Sequence, residues 1–204
     1  MSTVADRRLP AGPKPAPRHS LTTATAGVVA AGTMLVFGML AMWFRFRDAA
    51  PLRDSRRGDM IRDWLPADIA VPEVATNTLM ITMVVICVIA QWAAYAAKRG
   101  QRQHTTLALA VTMFLGLAAV NAQIAVYIQM GMGILDGPYQ SMFYAVTGTV
   151  LVILVSGVVF SLVAMFRAVG GRLGDADLFR AHALYWYFIG GAFLALWFVV
   201  YVQK

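Results

Sequence analysis

The residue types that could bind a metal or move a proton are few in this sequence and lie far apart. The three histidines are His19, His104 and His182. No pair of them has the four-residue spacing that places two imidazoles on one face of a helix for a metal or a haem. The single cysteine, Cys87, lies within an apolar stretch, which excludes an intrachain disulfide and a thiolate cluster. The sequence therefore predicts no catalytic residue, no metal site and no cofactor site within this chain.

Acidic residues are absent from five long apolar stretches that lie between Thr22 and Val202. All ten carboxylates belong to the N-terminal tail or to segments between these stretches. An ionised group at the centre of a bilayer costs about 2.5–3.5 kcal/mol on insertion scales, so membrane proteins keep one there mainly where function needs it. The chain is therefore a poor candidate for a proton relay or an ion-coupled pump.

The polar residues that remain in the apolar stretches are mainly amides and hydroxyls. Asn77 and Thr78 lie near a predicted helix start, where such residues commonly act as caps. Asn121 and Gln123 are about 200° apart around a helix, so they cannot share a face. We expect both to form interhelical hydrogen bonds worth about 0.6–2 kcal/mol, with a lipid-headgroup or quinone contact as the alternative. Asn77, Thr78 and Tyr127 are grouped with Asn121 and Gln123 as candidate interhelical or lipid polar contacts.

Two of the histidines, His104 and His182, each lie near the beginning of a predicted helix and close to the predicted inner surface. Imidazole titrates near neutral pH, so proton collection at the membrane surface is one hypothesis for them. Simple anchoring at the membrane interface is the favoured interpretation.

The composition is typical of a membrane protein rather than a soluble domain. Apolar residues make up 59% of the chain and charged residues only 13%. The formal net charge is +7, but the lysines and arginines flank apolar segments instead of clustering as a strand-binding surface would require. We therefore expect membrane lipids as partners and no nucleic acid.

Five segments are long enough to cross a hydrocarbon core, which takes about 20 mostly apolar residues. They predict an all-α membrane protein, a bundle of five transmembrane helices over residues 22–204, after a flexible Pro- and Arg-rich tail over residues 1–21. The predicted spans are residues 22–44, 74–97, 104–129, 139–166 and 179–202.

The distribution of lysine and arginine predicts an N-terminus inside the cell and a C-terminus outside. The short turn over residues 98–103 carries 3 basic residues, and the short loop over residues 130–138 carries none. Short loops carry most of the topological signal, because positively charged loops stay on the cytoplasmic side.

Several short motifs follow one another along the chain in a distinctive order. They are Val71-Pro72-Glu73 with Asn77-Thr78, Leu115-Gly116 with Gln123 and Tyr127, Gly137-Pro138-Tyr139 with Thr147-Gly148, and His182 with Tyr185, Trp186 and Phe188. In order and spacing these motifs resemble subunit III of haem–copper respiratory oxidases, in the short bacterial form with five helices. The resemblance extends from about residue 24 to residue 204.

The resemblance implies a non-catalytic subunit of a terminal oxidase in the bacterial cell membrane, acting in aerobic electron transport. It also implies oxidase subunits I and II as partners, haem and copper within a partner subunit, and phospholipid held between the helices. Two alternatives stay open, namely the related accessory subunit of nitric oxide reductase systems and a small membrane transporter or scaffold. A transporter is the less favoured, because no internal repeat or buried charge is visible.

The chain departs from this family where the family usually carries titratable side chains. After Thr147-Gly148, two usual histidines are replaced by Val150 and Ile153. The other replacements are Tyr187 and Gly190 for a histidine and an aspartate, and Gly32 or Thr33 and Val126 for two glutamates. Family roles that depend on those groups, such as a proton antenna, are therefore not transferred to this chain.

Overall fold

The computed structural model describes residues 19–54, 60–66, 69–173 and 176–203. Most of the predicted tail, residues 1–18, lies outside the described residues. The described part contains five α-helices, and two short antiparallel strands form a hairpin between the first two helices. The helices are α1 (Ser20–Ala49), α2 (Glu73–Lys98), α3 (Arg102–Met130), α4 (Pro138–Val169) and α5 (Ala176–Leu196), and the strands are β1 (Leu52–Asp54) and β2 (Met60–Arg62). A π-helical turn, Trp197–Val202, continues α5.

All five helices are long and apolar enough to cross a membrane, which confirms the predicted all-α membrane fold. Each of the first four predicted spans lies inside one helix, and the fifth, residues 179–202, runs through α5 and the π-helical turn. The helices extend up to a few residues beyond the predicted spans. The largest extension is at the end of α1, which continues through Arg45 and Arg47 to Ala49. Polar residues of this kind are compatible with a helix that leaves the hydrocarbon core before it ends.

Helix α5 lies at the centre of the bundle. It packs against α1, α2 and α4, and α3 packs between α2 and α4. The indole of Trp186 on α5 is fully buried. A Cβ atom added to Gly116 of α3 would lie 2.9 Å from Val158 and 3.0 Å from Trp186, so only glycine fits there without displacing a neighbour. Small residues at helix contacts allow the close packing that drives association in a membrane.

The connections alternate between two ends of the bundle. At one end, the side chain of Arg102 donates a hydrogen bond to the carbonyl of Val169, which joins the α2–α3 turn to the end of α4. We call this the basic end. The opposite end carries the β-hairpin and the α3–α4 loop, and we call it the hairpin end.

The beginning of α1 is capped by a residue of another helix. His19 occupies the N-cap position of α1 and provides no side-chain cap. The carboxylate of Asp177, in the first turn of α5, accepts hydrogen bonds from the backbone N–H of Leu21 at 2.9 Å and of Thr22 at 3.3 Å. These bonds satisfy N–H groups that a helix start leaves without partners, and they fix α1 to α5 at the basic end.

Candidate functional site

The interior of the bundle contains a polar cluster between α3, α4 and the π-helical turn. The amide of Gln123 is buried and donates to the hydroxyl of Tyr201 at 3.2 Å. The hydroxyl of Tyr127 donates to the Thr147 hydroxyl at 2.9 Å. The ring of Phe143 lies between the two tyrosines, with its centroid 6.1 Å from each. Gln123 and Tyr127 are thus brought together, and both act between helices.

The other three predicted polar contacts lie elsewhere. The predicted capping role of Asn77 and Thr78 is wrong, because α2 already begins at Glu73. Both residues lie beyond the first turn of α2, where a helix has N–H groups without partners. Asn77 instead accepts a hydrogen bond from the Trp197 indole at 3.0 Å, and Thr78 donates to a carbonyl one turn back in its own helix. Asn121 is exposed on α3 and forms no interhelical hydrogen bond with the described residues, contrary to expectation.

A second polar cluster surrounds His182, and it overturns the predicted surface position of this residue. His182 is two turns inside α5 and fully buried. Its Nε2 lies 2.8 Å from the Ser161 hydroxyl of α4, and the Trp186 indole N–H lies 3.1 Å from the same Nε2. The Trp186 indole N–H also lies 2.9 Å from the Ser161 hydroxyl oxygen, so the three side chains form one hydrogen-bonded cluster between α4 and α5.

Ser161 and His182 lie as close together as a catalytic nucleophile and its general base. Their surroundings, however, differ from those of a catalytic pair. The two side chains are fully buried, and Nδ1 of His182 has no partner in the described part of the chain. A serine nucleophile needs a third group that orients the histidine, as well as access for a substrate. The arrangement therefore serves as a packing contact between α4 and α5.

His104 has a different environment from His182. It is exposed in the first turn of α3, at the basic end, and its ring centroid lies 6.1 Å from that of Trp92. Its role as a surface or interface residue stays a prediction. Among the described residues, no group of three or more His, Cys, Asp or Glu side chains is arranged to hold a metal ion.

A third cluster, at the hairpin end, was missed by the sequence reasoning. Trp43 of α1, Trp64 of the following loop and Tyr139 of α4 meet edge to face, with ring centroids 5.1, 5.4 and 5.5 Å apart. We call these three residues the aromatic triad. The sequence feature that could have indicated this cluster is Trp64, a single tryptophan in a loop otherwise rich in arginine and aspartate.

Three of the positions that lack the family's titratable groups are closely packed, whereas Tyr187 is 47% exposed. Val126 is fully buried, and Val150 is buried against the other helices. A Cβ atom added to Gly190 would lie 2.6 Å from the Cys87 sulfur of α2. An aspartate would therefore not fit at residue 190 unless Cys87 moved, so apolar packing occupies the place of an acidic side chain.

The five apolar helices define a multi-pass membrane protein. The cytochrome c oxidase subunit III family matches the chain over residues 24–204, which covers all five helices apart from the first residues of α1. The chain belongs to this family.

Relatives of known name agree with this assignment. The probable cytochrome c oxidase subunit 3 of Rickettsia conorii is 32% identical over 115 residues, covering 54% of this chain and 41% of the relative. Cytochrome c oxidase subunit 3 of Mus musculus is 30% identical over 146 residues, covering 68% of this chain and 54% of the relative. The chain spans about half the length of the curated relatives it matches. The rickettsial relative and the apolar helices together support a location in the bacterial plasma membrane.

Proposed function

We propose that the chain is a non-catalytic membrane subunit of a cytochrome c oxidase-type complex in aerobic electron transport. The observation that carries the proposal is the family match over residues 24–204. Subunits I and II would be the partners, and haem and copper would be bound in a partner subunit. Oxygen would be reduced in that partner subunit.

The contribution of this chain would be a rigid helical wall beside the catalytic subunit. The polar clusters around Gln123 and His182 join neighbouring helices in a fixed arrangement. The outer face of α1 exposes large apolar side chains, with Met34 and Phe37 exposed by 78% and 61%. Such a face is suited to contact with a partner helix or with lipid.

Lipid retention is the second part of the proposal. A groove of about 240 Å³ lies between α1 and α5, and its walls are almost entirely apolar. A lipid acyl chain could occupy this groove with little loss of polar hydration. The residues that line it include Val29, Val36, Phe37, Phe188, Ala192 and Ala195.

Purification in mild detergent through a tag at the C-terminus tests the proposed function. We expect a haem-containing subunit to purify with the tagged chain, visible in the absorption spectrum and identifiable by mass spectrometry. An untagged strain is the control for nonspecific capture. A colourless protein without partners would contradict the proposal.

We also propose that the basic end faces the cytoplasm, because the positive-inside rule favours that side for the 98–103 turn. Leu135 in the α3–α4 loop is 92% exposed, and Gln101 in the α2–α3 turn is also exposed. In a Cys87→Ala background, Leu135→Cys should react with an impermeant maleimide from outside intact cells, and Gln101→Cys only after the cells are opened. The reverse pattern would invert the topology.

A further inference from the structure

One buried side chain at the hairpin end is an amide without a hydrogen-bond partner. Gln140 lies in the first turn of α4 and is only 8% exposed. Its amide forms no hydrogen bond with any described residue. Buried polar groups are normally paired, because an unpaired group loses its hydration without compensation. A side-chain amide both donates and accepts, so the partner that matches it best is a group that does the same.

Gln140 lies in the wall of a cavity of about 480 Å³ between the end of α1, the following loop and the start of α4. Most of this wall is apolar and comes from prolines and aromatic rings. These residues are Phe46, Pro51, Trp64, Pro66, Pro138 and Tyr139. Phe46 and Pro138 are also exposed on the surface of the chain. The cavity therefore presents an apolar surface with one unpaired amide to a partner from outside the chain.

The charged groups in the wall of this cavity are acidic. Asp63 and Asp136 line it, and its described lining residues include no lysine or arginine. Asp63 is paired with Arg53 at 2.8 Å. Asp136 accepts a hydrogen bond from the backbone N–H of Gly133 at 2.6 Å and forms no ion pair with a described residue. The remaining negative charge disfavours an anionic ligand and favours a basic group, because like charges placed together in a contact repel.

We propose that this cavity receives an extended segment of a partner protein outside the membrane. The Gln140 amide pairs with an N–H and a C=O of the backbone of that segment. The prolines and aromatic rings contact its apolar side chains, and a lysine or arginine of the segment faces Asp136. An extended peptide matches the cavity because its backbone offers donors and acceptors together, while apolar pockets select its side chains.

Exposed apolar side chains beside the cavity agree with a protein partner. Leu52 of β1 directly follows Pro51 of the cavity wall and is 57% exposed, and Phe46 is 41% exposed. Apolar side chains that are exposed around a cavity are typical of an interaction surface. The inference deepens the proposed function, because it names the surface that another subunit contacts, and it rests on that function for the existence of a complex.

The test is photo-crosslinking of the full chain in its own membranes, with the photoreactive analogue p-benzoylphenylalanine in place of Phe46. We expect irradiation to link residue 46 to a segment of another protein, which peptide mass spectrometry identifies. That segment should lie outside the membrane spans of the partner and should contain a lysine or an arginine. Phe166 is the matched control position, because it is exposed near the end of α4 at the basic end and should not link to the same segment.

A second variant tests Gln140 itself. Gln140→Leu removes the amide and keeps a side chain of similar size, so the crosslinking yield from residue 46 should fall by up to about tenfold, the effect of one or two lost hydrogen bonds. Gln103→Leu is the matched control, since Gln103 is exposed at the basic end and should leave the yield unchanged. The purified Gln140→Leu chain should melt at or above the temperature of the wild type, because the substitution removes an unpaired buried amide. A lower yield with an unchanged melting temperature is therefore not caused by misfolding.

Three results would overturn the proposal. The first is a link from residue 46 only to lipid or to a second copy of this chain. The second is an unchanged crosslinking yield in Gln140→Leu. The third is a linked segment that is acidic and contains no lysine or arginine. Co-purification of a haem-containing subunit tests the proposed function separately, so a haem subunit that purifies with the chain while residue 46 links only to lipid would make this inference alone wrong.

Discussion

The first and last helices are about equally apolar, yet they occupy opposite environments in the bundle. Helix α1 buries four of its 30 residues, namely Thr25, Val36, Leu40 and Trp43. Helix α5 buries eleven of its 21 residues and contacts α1, α2 and α4. Hydropathy therefore identifies a membrane segment but does not determine whether that segment lies at the centre or at the edge of the bundle.

The difference follows from the spacing and size of the contact residues. Val36, Leu40 and Trp43 lie on one narrow stripe of α1, so the rest of that helix faces outward. The buried residues of α5 are distributed around much of its circumference, and its large side chains fit against glycines of neighbouring helices. Since lipid tails are as apolar as leucine, this fit rather than hydrophobicity makes α5 central.

The largest expected effect contrasts a large side chain of α5 with one of α1. Trp186→Ala removes a fully buried indole that also donates to Ser161 at 2.9 Å, so we expect a loss of about 3–5 kcal/mol in the free energy of unfolding. Phe37→Ala on α1 removes a ring that is 61% exposed and should change stability little. Unfolding of the purified protein by detergent titration measures both. Similar losses in the two variants would show that α5 is not more central than α1.

A smaller effect tests how closely α5 approaches α2. Gly190→Ala places a methyl group 2.6 Å from the Cys87 sulfur, and overpacking of this kind costs about 1–3 kcal/mol. Gly191→Ala is the matched control, since a Cβ atom there has no neighbour within 4 Å. Cys87→Ala should restore most of the stability of Gly190→Ala, and the unfolding experiment described for Trp186 measures this. If Gly190→Ala is as stable as Gly191→Ala, the contact between α5 and α2 at Cys87 is looser than in the structure.

The contact that joins the two compared helices can be broken at the basic end. Asp177→Ala leaves the N–H groups of Leu21 and Thr22 without their acceptor, so the first turn of α1 should open more often. Hydrogen–deuterium exchange should become faster at these two amides and stay unchanged within α5. Asp136→Ala, which acts within the α3–α4 loop, is the control. Unchanged exchange at Leu21 in the Asp177 variant would mean that α1 does not need this cap.

The five spans were predictable from the sequence because they depend on local properties. About 20 apolar residues between polar boundaries are enough to recognise a membrane helix, whatever its neighbours are. The order of the short motifs also indicated the family, which the match over residues 24–204 confirms. Each span and each single motif is carried by residues near one another in the chain.

The rotation of each helix was not predictable in the same way. His182 and Asn121 illustrate this, since the histidine is buried although it lies near a helix start, and the amide faces outward although it lies in mid-helix. In lipid the outward face of a helix is as apolar as the inward face, so the sequence pattern of these helices contains little information on their orientation. The aromatic triad and the Asp177 cap join residues that are distant in the chain, and no local pattern indicates them.

The smallest expected effect concerns oxygen consumption by the proposed oxidase complex. His104 is exposed on α3, and His182 is buried beside Ser161 of α4. Comparing variants of these two histidines tests whether the central position of α5 serves proton transfer or only packing. We expect His104→Gln and His182→Gln to leave steady-state turnover nearly unchanged between about pH 6 and pH 9.

Subunit retention must be measured on a gel in the same preparations, because His182→Gln alters a buried hydrogen-bond cluster and could weaken assembly. His104→Gln is the matched control, since its side chain is exposed and its loss should affect neither assembly nor turnover. A large fall in turnover in either variant, with the subunit still bound, would show that this chain carries protons. In that case α5 would have a role in proton transfer, and the proposal of a purely stabilising subunit would be wrong.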